Sequence, residues 1–184
     1  MMRWRRLDLP GHDQARLRSE PGSRRLEGHA EFSDGTNRWD LRYSVSCTLD
    51  WTTTCAIVRG HSDRGAIEAT VVRSAGGGWT LNGAPVPAVA GCIDVDLAFT
   101  PATNLLSLRR LDLAVGQKAE VVAAWLTFPE FALTPLRQRY HRTSQASYDY
   151  SAPDLPFAGI LTVNPDGFVI DYAGLWRGDP QATE

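Results

Sequence analysis

A strict two-residue alternation between residues 39 and 51 constrains the fold of this chain more than any other feature. The odd positions are apolar, and they read Trp39, Leu41, Tyr43, Val45, Cys47, Leu49 and Trp51. The even positions are polar or charged. Successive side chains of a strand point to opposite faces, whereas a helical period of 3.6 residues would spread these aromatic rings around the whole circumference. The segment therefore predicts a long strand with one buried face, which suits a strongly curved sheet.

Turn residues divide much of the remaining chain into further short strands. These predicted strands cover residues 56–60, 66–73, 79–81, 120–128, 136–143, 147–150, 160–163 and 168–172. Asn82-Gly83 is a type I′ turn signal, and Pro165 and Gly167 predict a tight turn between the last two strands. Residues 120–128 are apolar on both alternating phases, so we expect this strand to be covered on both faces.

Helix signals are concentrated in one segment, at about residues 101–111. Thr103 or Asn104 can cap its N-terminus, leucines recur at every third position after the cap, and two arginines close the last turn. We therefore expect a mainly β protein in which one short helix is buried against a many-stranded antiparallel sheet.

The charge balance and the lack of long apolar runs exclude several classes of protein. Lys and Arg number 19 against 21 Asp and Glu in 184 residues, so no overall positive field attracts nucleic acid. Arginines in the first 25 residues are interspersed with acidic residues, which indicates a solvated face. No apolar run approaches the roughly 20 residues of a membrane helix, and no apolar segment follows the charged start as in a signal peptide. We expect a cytoplasmic protein without a transmembrane segment or a nucleic-acid partner.

The length of the chain suits a single domain over residues 1–184. A chain of this size buries roughly 70% of its unfolded surface, which provides a core without disulfides or metals. The sequence contains no internal repeat and no low-complexity linker. We expect residues 178–184 to form a frayed tail.

Cysteines and histidines give no sign of a structural or catalytic centre. The three cysteines include no CxxC pair, and Cys47 falls on the apolar phase of the long strand, so we expect buried thiols rather than disulfides. The four histidines lack the spacings that aim two imidazoles at one ion. The sequence therefore predicts no metal site and no cofactor.

One pair of carboxylates and one pair of arginines could carry chemistry. Asp94 and Asp96 are two residues apart in a predicted strand, so they lie on one face. Such a pair could hold a divalent cation or act as an acid/base pair, or it could simply be the exposed face of an edge strand. Arg109 and Arg110 could neutralise these carboxylates as an ion pair, or bind a phosphate or sugar head group. Nucleophile-elbow and phosphate-loop motifs are absent.

Aromatic residues with polar ends are dense late in the chain. They are Tyr140, Tyr148, Tyr150, Tyr172 and Trp176. Tyr148 and Tyr150 share a strand face, an arrangement suited to stacking on a sugar ring or lining an amphipathic pocket. Packing within the sheet, with the hydroxyl groups hydrogen-bonded, is the alternative.

Six segments, in order along most of the chain, resemble the Putative glycolipid-binding family, a group of bacterial proteins of unknown function. They are Gly91–Leu97, Thr100–Asn104, Leu108–Leu111, Ala124–Pro129, Gln138–Tyr140 and Asp166–Tyr172 with the following Leu175-Trp176. The resemblance implies a spiral β-roll, a sheet wrapped around one helix, assembled as a homodimer. It also implies a likeness in shape to lipoprotein carriers, and it identifies no catalytic residues.

Three functional hypotheses follow from these residues and this resemblance. The first is a non-enzymatic protein that binds a lipid, glycolipid or other amphipathic ligand inside the roll. The second is an enzyme that acts on a small substrate through Asp94 or Asp96 with Arg109 or Arg110, and the third is a purely structural homodimeric module. The candidate ligand-binding residues are Asp94, Asp96, Arg109, Arg110, Gln138, Tyr140, Tyr148 and Tyr150.

Overall fold

Fifteen strands and one α-helix make up the computed structural model, which describes residues 1–179. The strands are β1 (Met2–Arg6), β2 (Gly11–Glu20), β3 (Ser23–Ser33), β4 (Arg38–Thr48), β5 (Thr53–Ser62), β6 (Gly65–Arg73), β7 (Trp79–Leu81), β8 (Ala84–Pro85), β9 (Val95–Leu97), β10 (Lys118–Leu126), β11 (Leu133–Arg142), β12 (Ser147–Ala152), β13 (Phe157–Val163), β14 (Val169–Tyr172) and β15 (Trp176–Gly178). The helix α1 spans Asn104–Leu111, and a 3₁₀ turn spans Pro87–Val89. The predicted mainly β class with one short helix is confirmed.

All fifteen strands belong to one sheet, whose order runs from β8 back to β1, then from β15 back to β9. The first and last strands of the chain thus pair in the middle of the sheet, with Trp4 opposite Gly178. Neighbouring strands are antiparallel except β9 and β10, which are parallel. A parallel pair requires a crossover connection, and α1 lies in that crossover. The sheet is not closed, but a hydrogen bond from the Thr53 N–H to the Ile93 carbonyl links β5 to the segment before β9.

The helix lies between two groups of buried apolar side chains. Leu105 and Leu106 pack in the larger group, which draws residues from the N-terminal strands and from β9, β10 and β15. Leu108 packs in the second group with residues of β11, β12 and β13. Side chains from both halves of the sheet therefore surround α1, as the predicted roll requires. They also fill the interior around the helix.

The long predicted strand ends earlier than the alternation suggests. Odd positions from Trp39 to Cys47 are buried as predicted, but β4 stops at Thr48. Leu49 is 58% exposed, and Trp51 has a left-handed backbone with φ of 69°. The chain reverses here because the Thr48 N–H donates to the Thr52 carbonyl.

The strand predicted to be covered on both faces is covered only at its end. Ala123, Ala124 and Leu126 are buried, whereas Val122 is exposed. Ala124 and Leu126 pack in the larger apolar group, and Val122, earlier on the same face, lies outside it. The apolar composition of residues 120–128 therefore overstated the burial of β10.

Both ends of the described chain lie in the sheet. In β1, exposed Arg3 and Arg5 alternate with buried Met2 and Trp4, so these arginines occupy the predicted solvated face. Gly178, the first residue of the predicted tail, belongs to β15. The remainder of that tail from residue 180 lies outside the described residues. Within residues 1–179, no helix has the length and apolar character needed to cross a bilayer.

Candidate functional site

Asp94 and Arg110 form a buried ion pair beside α1. The Arg110 Nε donates to Asp94 Oδ1 at 2.8 Å, and its Nη2 donates to Oδ2 at 2.6 Å. Asp94 is only 1% exposed, and the two parallel bonds match the planar guanidinium to the carboxylate. The hydrogen bonds to Asp94 raise the pKa of Arg110. Of the roles that the sequence left open for these residues, the structure shows the ion pair.

Asp96 belongs to an adjoining polar network of tyrosine and amide groups. The Gln138 Nε2 donates to Asp96 Oδ2 at 2.5 Å and lies 3.1 Å from the Tyr150 hydroxyl. The Tyr140 hydroxyl donates to Gln138 Oε1 at 3.2 Å and reaches Asn104 in the first turn of α1. Burial raises the pKa of Asp96 to about 6, and repulsion from Asp94 acts in the same direction.

These six sequence-predicted residues therefore meet around α1, but they point inward. They are Asp94, Asp96, Arg110, Gln138, Tyr140 and Tyr150. Their polar atoms bond mainly to one another, which satisfies buried groups and fixes the helix against β9, β11 and β12. Neither carboxylate lines the surface clefts described below.

The other two predicted residues, Arg109 and Tyr148, lie at one end of the roll. They border a cleft of about 390 Å³, which we call the mouth cleft. Its walls come from the last turn of α1, the β11–β12 turn and the β13–β14 turn. The lining residues are Leu108, Arg109, Asp112, Arg142, Gln145, Ala146, Tyr148, Val163, Asn164, Pro165 and Gly167. Tyr148 and Tyr150 share one face of β12, as predicted, and this face is buried, but only Tyr148 lines the mouth cleft.

Two guanidinium groups of the mouth cleft are held by neutral carbonyl groups. The Arg109 Nη2 donates to the Asp166 carbonyl at 2.6 Å. The Arg142 Nη1 and Nη2 donate to the Leu113 and Gln145 carbonyls at 2.6 and 2.9 Å. Neither arginine forms an ion pair with any described residue. The cleft thus presents two fixed positive charges against the single carboxylate of Asp112 among its lining residues.

Apolar and aromatic side chains stand next to these charges. The Arg109 guanidinium lies 5.9 Å from the centre of the Trp51 ring, and Arg142 lies 5.5 Å from that of Tyr148. Leu49, two residues before Trp51, is exposed, and so is Val115 in the loop after α1. This end of the roll combines fixed cations with exposed apolar side chains, as an amphipathic ligand requires.

Sequence reasoning missed Arg142 and a second buried network. Arg142 ends β11, and only the pairing of the C-terminal strands brings it to α1, so no local pattern indicates it. In the N-terminal half, Asp13 accepts hydrogen bonds from Tyr43 and Thr100 in the interior. Burial raises the pKa of Asp13 to about 7. The buried tyrosine of the alternating strand was the only signal for this network.

A rolled sheet around one helix, with a basic and aromatic cleft at one end, places the chain in the mainly β class. The chain belongs to the Putative glycolipid-binding family, whose model matches residues 1–178. It is similar to a solved structure of a DUF1089 family protein from Pseudomonas aeruginosa, with a TM-score of 0.77 and 30% sequence identity. The similarity covers 90% of this chain and 91% of that one. No curated protein matches the chain.

Proposed function

We propose that this protein binds an anionic amphipathic ligand of the glycolipid class, with the head group in the mouth cleft. The observation that carries the proposal is the pair Arg109 and Arg142, whose guanidinium groups are fixed by carbonyl oxygens and lack a carboxylate partner in the described chain. Guanidinium groups donate several hydrogen bonds in one plane, a geometry that matches sulfate, phosphate and carboxylate groups. The family description supports a glycolipid as the ligand class.

The size of the cleft supports a head group rather than a whole lipid. Ligand sites commonly enclose 300–1,000 Å³, and 390 Å³ is at the low end of that range. Because α1 and apolar side chains fill the interior, the acyl chains would lie along the exposed rim near Leu49, Trp51 and Val115. We therefore propose that the ligand binds at the end of the roll and not in the interior groove expected from the sequence.

A larger cleft on the outer face of β10–β13 is one competing location. It has a volume of about 710 Å³ and is lined by Arg139, His141 and Ile160 among others. Two of its cationic groups are already paired, since Arg139 lies 2.6 Å from Glu120 and His141 lies 3.1 Å from Asp149, whereas Lys118 forms no ion pair with a described residue. An anionic head group there would compete with these carboxylates, so we favour the mouth cleft.

The test is equilibrium binding of a sulfated galactolipid and its unsulfated parent, each presented in neutral detergent micelles. We expect the sulfated lipid to bind at least tenfold more tightly, and the R109Q/R142Q variant to lose that preference. R139Q is the matched control, because it removes one arginine from the competing outer cleft. Equal binding of the two lipids, or loss of binding in R139Q alone, would contradict the proposal.

The enzyme hypothesis has one favourable observation, the pKa of Asp96 at about 6, close to the range of a general acid. The Asp96 carboxylate is, however, bonded to Gln138 inside the roll, where no described cleft brings a substrate to it. We therefore place Asp96 in the structure-supporting network. D96N should leave binding of the sulfated lipid within twofold of wild type.

We extend the proposal to a homodimer, which the family resemblance implies. Val122 in β10 and Ile160 in β13 are exposed, and a second copy would remove these two separate apolar side chains from water. Light scattering during size exclusion should give twice the chain mass of 20.3 kDa. A single-chain mass at micromolar concentration would contradict the dimer and leave the binding proposal standing.

A further inference from the structure

Histidines and carboxylates from four neighbouring strands form a row on the outer face of the N-terminal half. His12 in β2 lies opposite Glu31 in β3, and Glu31 lies opposite Asp40 in β4. Asp40 in turn lies opposite His61 in β5. His29 is two residues before Glu31 and shares its face of β3. The antiparallel register thus gathers three of the four histidines of the chain, although they are distant in sequence.

Four of these side chains already contact one another. The His29 Nε2 lies 2.7 Å from Asp40 Oδ1, and its Nδ1 lies 3.9 Å from Glu31 Oε2. The His12 Nε2 lies 3.0 Å from the same Glu31 oxygen. One ligand atom each from His29, Glu31 and Asp40 lies within 4.8 Å of the others. Tetrahedral zinc, with bonds of about 2.0–2.2 Å, needs ligand atoms about 3.4 Å apart, so small side-chain rotations suffice for these three ligands.

We propose that His29, Glu31 and Asp40 bind a Zn²⁺-class transition metal ion, with His12 as the fourth ligand. The ion replaces the direct contact between the His29 Nε2 and the Asp40 Oδ1. The ion also binds the Glu31 Oε2, which is the oxygen that the His12 Nε2 contacts. The site needs no opening of the roll, because His29 is 15% exposed and the other three side chains are more exposed.

The composition of the cluster selects the type of metal. Imidazole with carboxylate suits Zn²⁺, Ni²⁺ and Cu²⁺, whereas Ca²⁺ and Mg²⁺ prefer several anionic or carbonyl oxygens. Arg5 lies opposite His12, and Arg42 lies opposite His29. These guanidinium groups weaken the attraction of the two carboxylates for any divalent cation, so the preference for a Zn²⁺-class ion rests on the imidazole ligands. The cluster shares no residue with the mouth cleft, so this proposal stands apart from the lipid-binding one.

The chain contains a matched control for this site. His141 and Asp149 form an exposed imidazole–carboxylate pair on the outer face of β11 and β12, with the two atoms 3.1 Å apart. Among the described residues, no further histidine or acidic side chain lies close enough to this pair to act as a third metal ligand. If Zn²⁺ bound nonspecifically to surface histidines, H141A and H29A would therefore weaken Zn²⁺ binding equally.

The experiment is calorimetric titration of untagged, chelator-treated protein with Zn²⁺, together with Co²⁺ absorption spectra. We expect one equivalent of Zn²⁺, the intense visible bands of four-coordinate Co²⁺, and at least tenfold weaker binding in H29A and D40N. H12A, at the most exposed ligand, provides a variant that tests the site with the least risk to folding. H141A should bind as wild type does. Absence of Zn²⁺ binding up to 1 mM, or binding in H29A and H12A equal to that of wild type, would overturn the proposal.

Discussion

Asp94 is one of the most deeply buried charged groups of the described chain, and Arg110 supplies its charge partner. Replacing a buried ion pair by apolar residues is often harmless, but removing one partner leaves an unpaired charge in a medium of low dielectric constant. The role of Arg110 is therefore structural, because its positive charge stabilises the buried carboxylate of Asp94 beside α1. The neighbouring arginine, Arg109, faces the mouth cleft instead, because successive helical residues point about 100° apart.

We expect R110A to lower the free energy of unfolding by about 3–5 kcal/mol, since it leaves the Asp94 carboxylate buried without its partner. The double variant D94N/R110A should recover much of this loss, because the uncompensated charge is gone. Urea denaturation followed by circular dichroism measures both. The matched control is R59A, which removes an arginine from an exposed pair with Glu68 and should change stability little. A loss in R110A no larger than that in R59A would contradict the structural role.

The interior carboxyl group of Asp13 should make stability depend on pH. Its pKa is raised from 3.8 to about 7, so the folded protein binds this proton more tightly than the unfolded chain does. Stability from this group is full below about pH 4 and is lost as the pH rises through about 7. The loss amounts to up to about 4 kcal/mol, since one pKa unit corresponds to about 1.4 kcal/mol.

D13N should remove this dependence while keeping an oxygen that accepts the Tyr43 and Thr100 hydrogen bonds. The measurement is the free energy of unfolding of both proteins at pH 4, 6 and 8. We expect the stability of D13N relative to wild type to increase with pH across this series. A constant difference between the two proteins would show that Asp13 titrates normally.

At the level of elements, close backbone approach between strands explains why some glycines stand in strand interiors. A Cβ atom on Gly60 of β5 would lie 1.9 Å from the backbone carbonyl oxygen of Asp40 in β4. Backbone atoms of a paired strand move only if the ladder itself shifts. Gly76, by contrast, has no heavy atom near its would-be Cβ position and a backbone that other residues adopt.

G60A should therefore destabilise the protein by about 1–3 kcal/mol or more, as overpacking typically does. G76A should be neutral or nearly so. Thermal unfolding of the two variants beside wild type compares them directly. Equal melting temperatures for G60A and wild type would mean that β4 and β5 are spaced more widely than described. Because Asp40 belongs to the proposed metal site, Zn²⁺ binding by G60A should also weaken.

Elements with strong local patterns could be predicted from the sequence, and those without could not. The alternation from Trp39 to Cys47 gave β4, and the capped leucine repeat gave α1. The strands β1–β3 were not predicted, because arginines and acidic residues occupy their exposed positions and few large apolar residues mark the buried face.

The residues of the candidate sites likewise could be predicted only where a local sequence pattern indicates them. Asp94 and Arg110 are 16 residues apart, on neighbouring elements that the sequence indicated, so their pairing was among the stated alternatives. Arg142 joins the mouth cleft, and His12 joins His29, only through the register of antiparallel strands. Register over such separations is set by tertiary packing, and a single sequence does not reveal it.

For the whole molecule, the topology separates a filled interior from the surfaces on which we propose ligand and metal binding. Each half of the chain forms its own run of strands, and the pairing of β1 with β15 joins the two runs into one sheet. The helix occupies the space that the rolled sheet surrounds, so it leaves clefts at the end of the roll and on the outer faces. The proposed lipid and metal sites lie in these two places and in different halves of the sheet.

The most direct test of the account is to locate a bound amphipathic ligand on the protein. Isotope-labelled protein would be titrated with the sulfated galactolipid while backbone amide, arginine side-chain and tryptophan indole signals are followed by NMR. We predict that the perturbed signals cluster at Arg109, Arg142, Tyr148 and Trp51, with the outer cleft around Arg139 and Ile160 unchanged. Perturbations centred on the outer cleft, or none at saturating lipid, would contradict ligand binding at the mouth of the roll.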